Sequence, residues 1–284
     1  MKGIILVGGT GTRLYPSTKV LNKHLLQVFD KPMVYYALAH VMSMGVRDIL
    51  FVVDGPTQKY LTQLLGQGTH LGCRFRYRRQ ENPGGIAEAF LLGEDFVSGE
   101  PVLLMLGDNF LYGDNFQGEA DQLLPVRGAK IFAYRVSKTE GYGVVHLDGR
   151  GNPISISEKP KEGGGYAVPG LYLYDHQAME LAKQIKRSPR GEMEITSLHE
   201  AYLQQKQLYV EKLPKGLIWF DMGIPSALHE AAQYVSNLLE KKNIYVGCIE
   251  QVAYQRGYID RTGLAQIIDQ MPSGAYRSHL HSLL

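Results

Sequence analysis

The residues with the clearest chemical use stand near the start of the chain, in Leu6-Val7-Gly8-Gly9-Thr10-Gly11-Thr12-Arg13-Leu14. Glycines at this density let backbone N–H groups close around a polyphosphate, and Arg13 adds a planar, multidentate cation. A plain tight turn uses the same composition, so the segment alone leaves both readings open. Two common glycine fingerprints do not fit. A dinucleotide-binding GxGxxG begun at Gly9 needs glycine where Leu14 stands. A Walker A loop begun at Gly8 needs lysine after a second glycine, where Thr12 and Arg13 interrupt it. Farther on, Asp108 follows the apolar run 102–106, which puts a carboxylate at the C-terminal end of a strand, where open α/β sheets bind ligands.

These groups need a frame. Short apolar runs at 4–7, 49–53, 102–106 and 131–134 read as buried strands of a largely parallel sheet, and 32–44 as a crossover helix opened by Pro32 and closed by Gly45. Beyond residue 140 the strand candidates 142–147, 154–158 and 166–174 crowd together between Gly-rich or polar turns, which favours antiparallel additions. From Ser226 the apolar positions Leu228, Ala231, Ala232, Val235, Leu238 and Leu239 keep helical spacing up to Lys241 and Lys242. The expected fold class is α/β: a Rossmann-like mixed, mainly parallel sheet flanked by helices, with antiparallel additions and a C-terminal helical extension. The expected division is a core over 1–225 and an extension over 226–284.

Composition narrows the function. A chain of 284 residues with 44% hydrophobic and 20% charged residues has the balance of a packed globular protein. A net charge of +2 gives no basic stripe for nucleic acid. No run is long enough to span a bilayer, and residues 4–7 are too few for a secretory signal, so a cytoplasmic protein without a membrane partner is expected. Cys73 and Cys248 form no CxxC, and the nine histidines form no HExxH, which argues against a disulfide framework or a zinc centre.

The glycine segment is followed by Lys23-His24-Leu25-Leu26, Asp30-Lys31-Pro32-Met33, Gly107-Asp108-Asn109, Tyr142-Gly143-Val144-Val145, Glu158-Lys159-Pro160, Gly170-Leu171-Tyr172, the run 190–196 (RGEMEIT) and Trp219-Phe220-Asp221-Met222-Gly223. In this order the chain resembles the sugar nucleotidyltransferases, most closely the glucose-1-phosphate thymidylyltransferases, over nearly its whole length. The resemblance implies transfer of a nucleotidyl group from a nucleoside triphosphate, dTTP favoured and UTP possible, to a sugar 1-phosphate. It implies Mg²⁺ on Asp108 and Asp221, with Arg13 and Lys23 on the phosphates. Leu6, Gly8, Gly9, Gly11, Thr12, Arg13, His24, Gln80, Gly85 and Asp108 would then hold the nucleotide, the Gln80 amide suiting the edge of thymine or uracil. Tyr142, Gly143, Glu158, Lys159, Val168 and Glu192 would hold the sugar. A homotetramer is implied as well, with a feedback site for a nucleotide sugar around 248–259, where Tyr254, Gly257 and Tyr258 could equally be packing.

Several positions depart from that family's pattern. His24, Gln27 and Gly84 replace the usual Gln, Pro and Asp, and are expected near the nucleotide. Glu88, Pro169, Ser197, Met222 and Ile224 replace Gln, Thr, Asp and two Thr, and are expected on the sugar side or its supports. The phosphate and metal residues persist, which favours an active enzyme over a nucleotide-sugar-binding regulatory relative and leaves a modified sugar open as substrate. His24 in place of Gln is expected to loosen base selection, so that dTTP and UTP are used within about tenfold of each other, and His24→Gln is expected to sharpen the preference for dTTP.

Overall fold

The computed structural model describes residues 1–113, 127–160 and 163–284. β1 (Lys2–Val7) leads through the glycine segment and three short 3-10 turns into a ribbon of β2 (Gln27–Val28) and β3 (Lys31–Pro32). α1 (Met33–Ser43) returns the chain to β4 (Asp48–Val53), and α2 (Gly55–Leu65) to β5 (Arg74–Arg79). The short helices α3 (Glu88–Leu92) and α4 (Glu94–Val97) precede β6 (Val102–Leu106) and β7 (Asn109–Tyr112). The second half runs β8 (Ala129–Val136), β9 (Gly143–Leu147), β10 (Pro153–Glu158), β11 (Gly165–Ala167) and β12 (Leu171–Tyr174). It continues with α5 (Ala178–Gln184), α6 (Ile195–Gln204), β13 (Leu208–Lys212) and β14 (Ile218–Asp221). Four helices close the chain: α7 (Pro225–Lys242), α8 (Ile249–Gln255), α9 (Arg261–Asp269) and α10 (Ala275–His281).

One mixed sheet carries the molecule, in the order β10-β9-β11-β8-β12-β6-β1-β4-β5, with β13 on β8. β6, β1, β4 and β5 are parallel neighbours. β1, β4 and β6 have helices on both faces, which is why they read as unbroken apolar runs rather than alternating ones. β12 enters antiparallel between β6 and β8, and the pairs beyond it are antiparallel except β13 on β8, yet most strands still run in the direction of β1.

The expected strand over 166–174 is two strands, β11 and β12. The break falls at Pro169-Gly170, where Pro169 has no N–H to give to a ladder and a Cβ at Gly170 would lie 2.5 Å from the Leu106 side chain. β5 escaped the sequence reading because four arginines mask its alternation. Phe75 is buried while the guanidiniums face outward, a charged edge that discourages pairing with another chain.

The extension begins with α7 at Pro225 and does not stand apart. Ala231, Val235 and Leu238 of α7 join Val28, Met33 and Phe110 in one apolar cluster, and the Tyr258 hydroxyl donates to the Met42 carbonyl of α1 at 2.9 Å. Lys31, 4% exposed, pairs with Asp30 at 2.6 Å and lies 5.8 Å and 5.4 Å from the ring centres of Tyr36 and Tyr276, fastening α10 to the first half.

Candidate active site

A cleft of about 580 Å³ opens where β1 and β6 end, and every site residue expected from the sequence lines it. One wall is the glycine segment. Gly9 (φ 108°) and Gly11 (φ 60°) take left-handed backbone that side chains resist, and the Thr18 hydroxyl donates to the Gly11 carbonyl at 2.8 Å, fixing the turn. Gly8 faces Gln80: a Cβ there would sit 3.3 Å from the Gln80 Oε1.

The charged centre is built by the ribbon of β7 and β14. Its antiparallel register sets Asn109 opposite Asp221, and the Met222 N–H donates to the Asp108 carbonyl at 2.9 Å, so residues far apart in sequence put two carboxylates side by side. Asn109 acts as a staple. Its Nδ2 donates to Asp108 at 3.1 Å, and its Oδ1 accepts from the Gly170 N–H at 2.8 Å and the Trp219 indole at 2.7 Å. Lys23 donates to the other Asp108 oxygen. Arg13 reaches the Asp221 side of the centre, so close that a Cβ at Gly223 would lie 2.6 Å from its guanidinium nitrogen.

Burial pushes the Asp108 carboxyl up, but the Lys23 ammonium and the hydrogen bonds from Lys23 and Asn109 outweigh it and hold the group well below the usual carboxylate range. Asp221 goes the other way, raised to about 6 by burial first and then by the charge of Asp108, against the opposing pull of Arg13 and Lys23. A buried and a half-buried carboxylate in this relation can hold a cation between them. Among the described residues no group of three or more His, Cys, Asp or Glu converges, so the protein side of such a site is two hard oxygen donors. That partial shell, to be completed by phosphate oxygens and water, fits Mg²⁺.

The opposite wall carries the residues expected for a sugar. Glu158 ends β10, and Lys159 adopts left-handed backbone (φ 45°), an uncommon state for a residue with a side chain, with its N–H donating to the Tyr142 carbonyl at 3.0 Å. Val168 donates to the Gly143 carbonyl at 2.9 Å, joining the two segments. Glu158 is paired with Lys159 at 3.3 Å and with Arg190 at 3.2 Å, an arginine to which the sequence reading assigned no role. Glu192 faces the same space. Asn109, Trp219, Thr196 and His199 also line the cleft; the first three lay inside the quoted motifs without a role, and no motif pointed to His199.

Among the departures, His24 lines the cleft, whereas Gln27, Gly84, Glu88 and Met222 do not. His24 is 1% exposed, burial and then the Lys23 charge lower its pKa to about 3, and its Nδ1 lies 2.7 Å from the Asn22 side-chain oxygen. Gln27 is exposed on β2 and donates to the Phe29 carbonyl instead of lining the cleft. Glu88, expected on the sugar side or its supports, accepts from Gln80 at 2.7 Å, and Gly84 lies against it. Met222 is fully buried in the apolar cluster under α7.

The sequence profile of the Nucleotidyl transferase family matches residues 2–237. The chain belongs to that family. It has relatives similar from end to end. A glucose-1-phosphate thymidylyltransferase of Neisseria gonorrhoeae is 42% identical, with 99% of each chain covered. One of Mycobacterium tuberculosis is 41% identical, covering 100% of this chain and 99% of its own. A solved Bacillus anthracis protein, provisionally assigned to the same activity and in complex with a sucrose, is 39% identical with a TM-score of 0.75 over 82% of this chain and 94% of that one. A UDP-glucose pyrophosphorylase complexed with UDP-glucose superimposes with a TM-score of 0.73 over 83% of this chain and 98% of its own. At 21% identity it supports the fold alone.

Proposed function

We propose that this nucleotidyl transferase moves a thymidylyl group from dTTP to a sugar 1-phosphate, glucose 1-phosphate in the first place, releasing pyrophosphate, with UTP as a second donor. The observation that carries the reading is the placement of Asp108, Asp221, Lys23 and Arg13 between a glycine-lined wall and the Glu158–Lys159 wall of one cleft. Relatives named for this activity over the full chain support it.

The reaction joins two polyanions: an oxygen of the sugar phosphate attacks the α-phosphorus in line, and pyrophosphate departs. Positioning and charge neutralisation are the main demands, as in phosphoryl transfer generally. In the proposed arrangement the backbone N–H groups of Gly8 to Thr12 and the Arg13 guanidinium hold the β- and γ-phosphates and take up the leaving group's charge. Lys23 stands beside the α-phosphate, steered by Asp108. Glu158 accepts from sugar hydroxyls, and Lys159 faces the sugar's phosphate. Mg²⁺ held by Asp108 and Asp221 would neutralise phosphate charge during the displacement.

The same reading takes the protein as a cytoplasmic homotetramer, with 226–284 contributing to its contacts. A matrix crossing four nucleoside triphosphates with several sugar 1-phosphates, read by pyrophosphate release, tests the substrate assignment. Turnover is expected to be highest with dTTP and glucose 1-phosphate. Highest turnover with a purine triphosphate, or no turnover with any pair, would overturn it.

A further inference from the structure

Gln80 follows β5 directly, with its backbone N–H donating to the Val53 carbonyl at 2.8 Å. One end of its side-chain amide is fully committed: Nε2 lies 2.7 Å from a Glu88 carboxylate oxygen and 3.3 Å from the Gly85 carbonyl. Neither partner has a proton to give. Glu88 is itself held by the Arg187 guanidinium at 2.7 Å, and Arg187 is anchored on the Gly191 and Gly84 carbonyls at 2.8 Å and 3.3 Å. Turning the amide over would set its oxygen against two acceptors, losing both hydrogen bonds and adding repulsion. The amide therefore has one orientation, fixed by the chemistry of its neighbours. Its Oε1 is left toward the cleft beside Gly8, where a Cβ would approach it to 3.3 Å.

We propose that Glu88 is a positioning residue for nucleotide selection. By fixing the amide, it converts Gln80 from a group that can both donate and accept into a dedicated acceptor. An acceptor at the base edge matches the ring N3–H shared by thymine and uracil and opposes cytosine, whose N3 is itself an acceptor. The inference rests on Gln80 facing the base, as in the function proposed above. Gly84 belongs to the same device. A Cβ at that position would fall 1.9 Å from one Glu88 carboxylate oxygen, so the carboxylate occupies space that any side chain at 84 would take.

A purely structural Glu88 would, when replaced, alter every triphosphate alike, whereas the lock changes their ratio. The test is kcat/KM for dTTP, UTP and dCTP, each with glucose 1-phosphate, in the full-length wild type and in Glu88→Gln, Gly84→Ala and Gln80→Ala. Glutamine at 88 can donate as well as accept, which lets Gln80 turn its N–H toward cytosine. The dTTP-to-dCTP ratio is expected to fall about tenfold, and the dTTP-to-UTP ratio to stay within about threefold because those bases share N3–H. Gly84→Ala displaces the carboxylate from an independent position and is expected to lower the same ratio, so poor folding of one variant leaves the other to decide. A dTTP-to-dCTP ratio unchanged in both variants but collapsed in Gln80→Ala would overturn the lock and leave base reading by Gln80 standing. A ratio unchanged in Gln80→Ala as well would remove the base reading, and the lock with it.

Discussion

Asp108 and Asp221 carry the proposed chemistry, and their environment separates a structural from a functional role. Asp108 is buried and Asp221 half-buried beside it, with cationic side chains at hand. Replacing either with Asn keeps the shape and removes the charge that would hold a divalent ion. Asp108→Asn and Asp221→Asn are each expected to cut turnover by about a hundredfold or more while remaining folded. Circular dichroism alongside pyrophosphate release checks this, and a folded variant with near-normal turnover at limiting Mg²⁺ would refute the assignment. His24 needs a different expectation from the one its sequence position suggests. Asn22 donates through Nδ2 to the Val7 carbonyl at 3.2 Å and to Asp54 at 2.5 Å, so its oxygen accepts from the His24 Nδ1–H; burial keeps the imidazole neutral, and only Nε2 is left to accept. Thymine and uracil present the same hydrogen-bonding edge, so one acceptor nitrogen cannot tell them apart. His24→Gln is therefore expected to shift the dTTP-to-UTP ratio by less than about threefold. Steady-state rates with both nucleotides decide it, and a larger shift would show that His24 acts on the base.

At the scale of elements, the parallel half of the sheet is tied at its N-terminal edge by Asp48 of β4, which accepts from Lys2 of β1 at 2.9 Å and pairs with Arg74 of β5. The Arg74 hydrogen bonds first, and then Lys2, hold the Asp48 carboxyl down at about 2 against the opposing effect of burial. A carboxyl depressed in the folded state adds stability above its unfolded value near 4 and loses it as the pH falls toward 2. Arg74 is largely exposed, so Asp48→Asn is expected to cost only about 1 kcal/mol at pH 7. Urea unfolding at pH 7 and pH 3 should show that difference shrinking with acid; a constant difference would mean that Asp48 stabilises through something other than its charge. The elements most legible in the sequence were β1, β4, β6 and α1, because burial on both faces writes a continuous apolar run and Pro32 and Gly45 mark the helix ends. β5 was illegible because its outward arginines conceal it. The break inside 166–174 was missed because Leu106, which excludes a side chain at Gly170, is distant in sequence. The site was legible as a set of residue types on ordered motifs, but the pairing of β7 with β14 that brings Asp108 to Asp221 is a matter of register, which no local pattern records.

For the whole molecule, the C-terminal helices are integral to the fold. Cys248, Ile249 and Ala253 are buried, and Tyr258 is bound to Met42, so the residues expected to mark a feedback site are at least partly spent on packing against α1. The proposed tetramer makes a direct prediction: light scattering at micromolar concentration should give about four times the chain mass of 31.7 kDa, and a monomer mass would contradict it. The central claim is transfer of the α-phosphorus to a sugar phosphate, and one measurement addresses it without assuming which residues act. The protein would be incubated with glucose 1-phosphate, Mg²⁺ and dTTP labelled at the α-phosphorus, and the label followed by chromatography. Label is expected in a thymidine diphosphate sugar, with one pyrophosphate released for each molecule formed. Label that stays in dTTP, or appears only in dTMP, would contradict it.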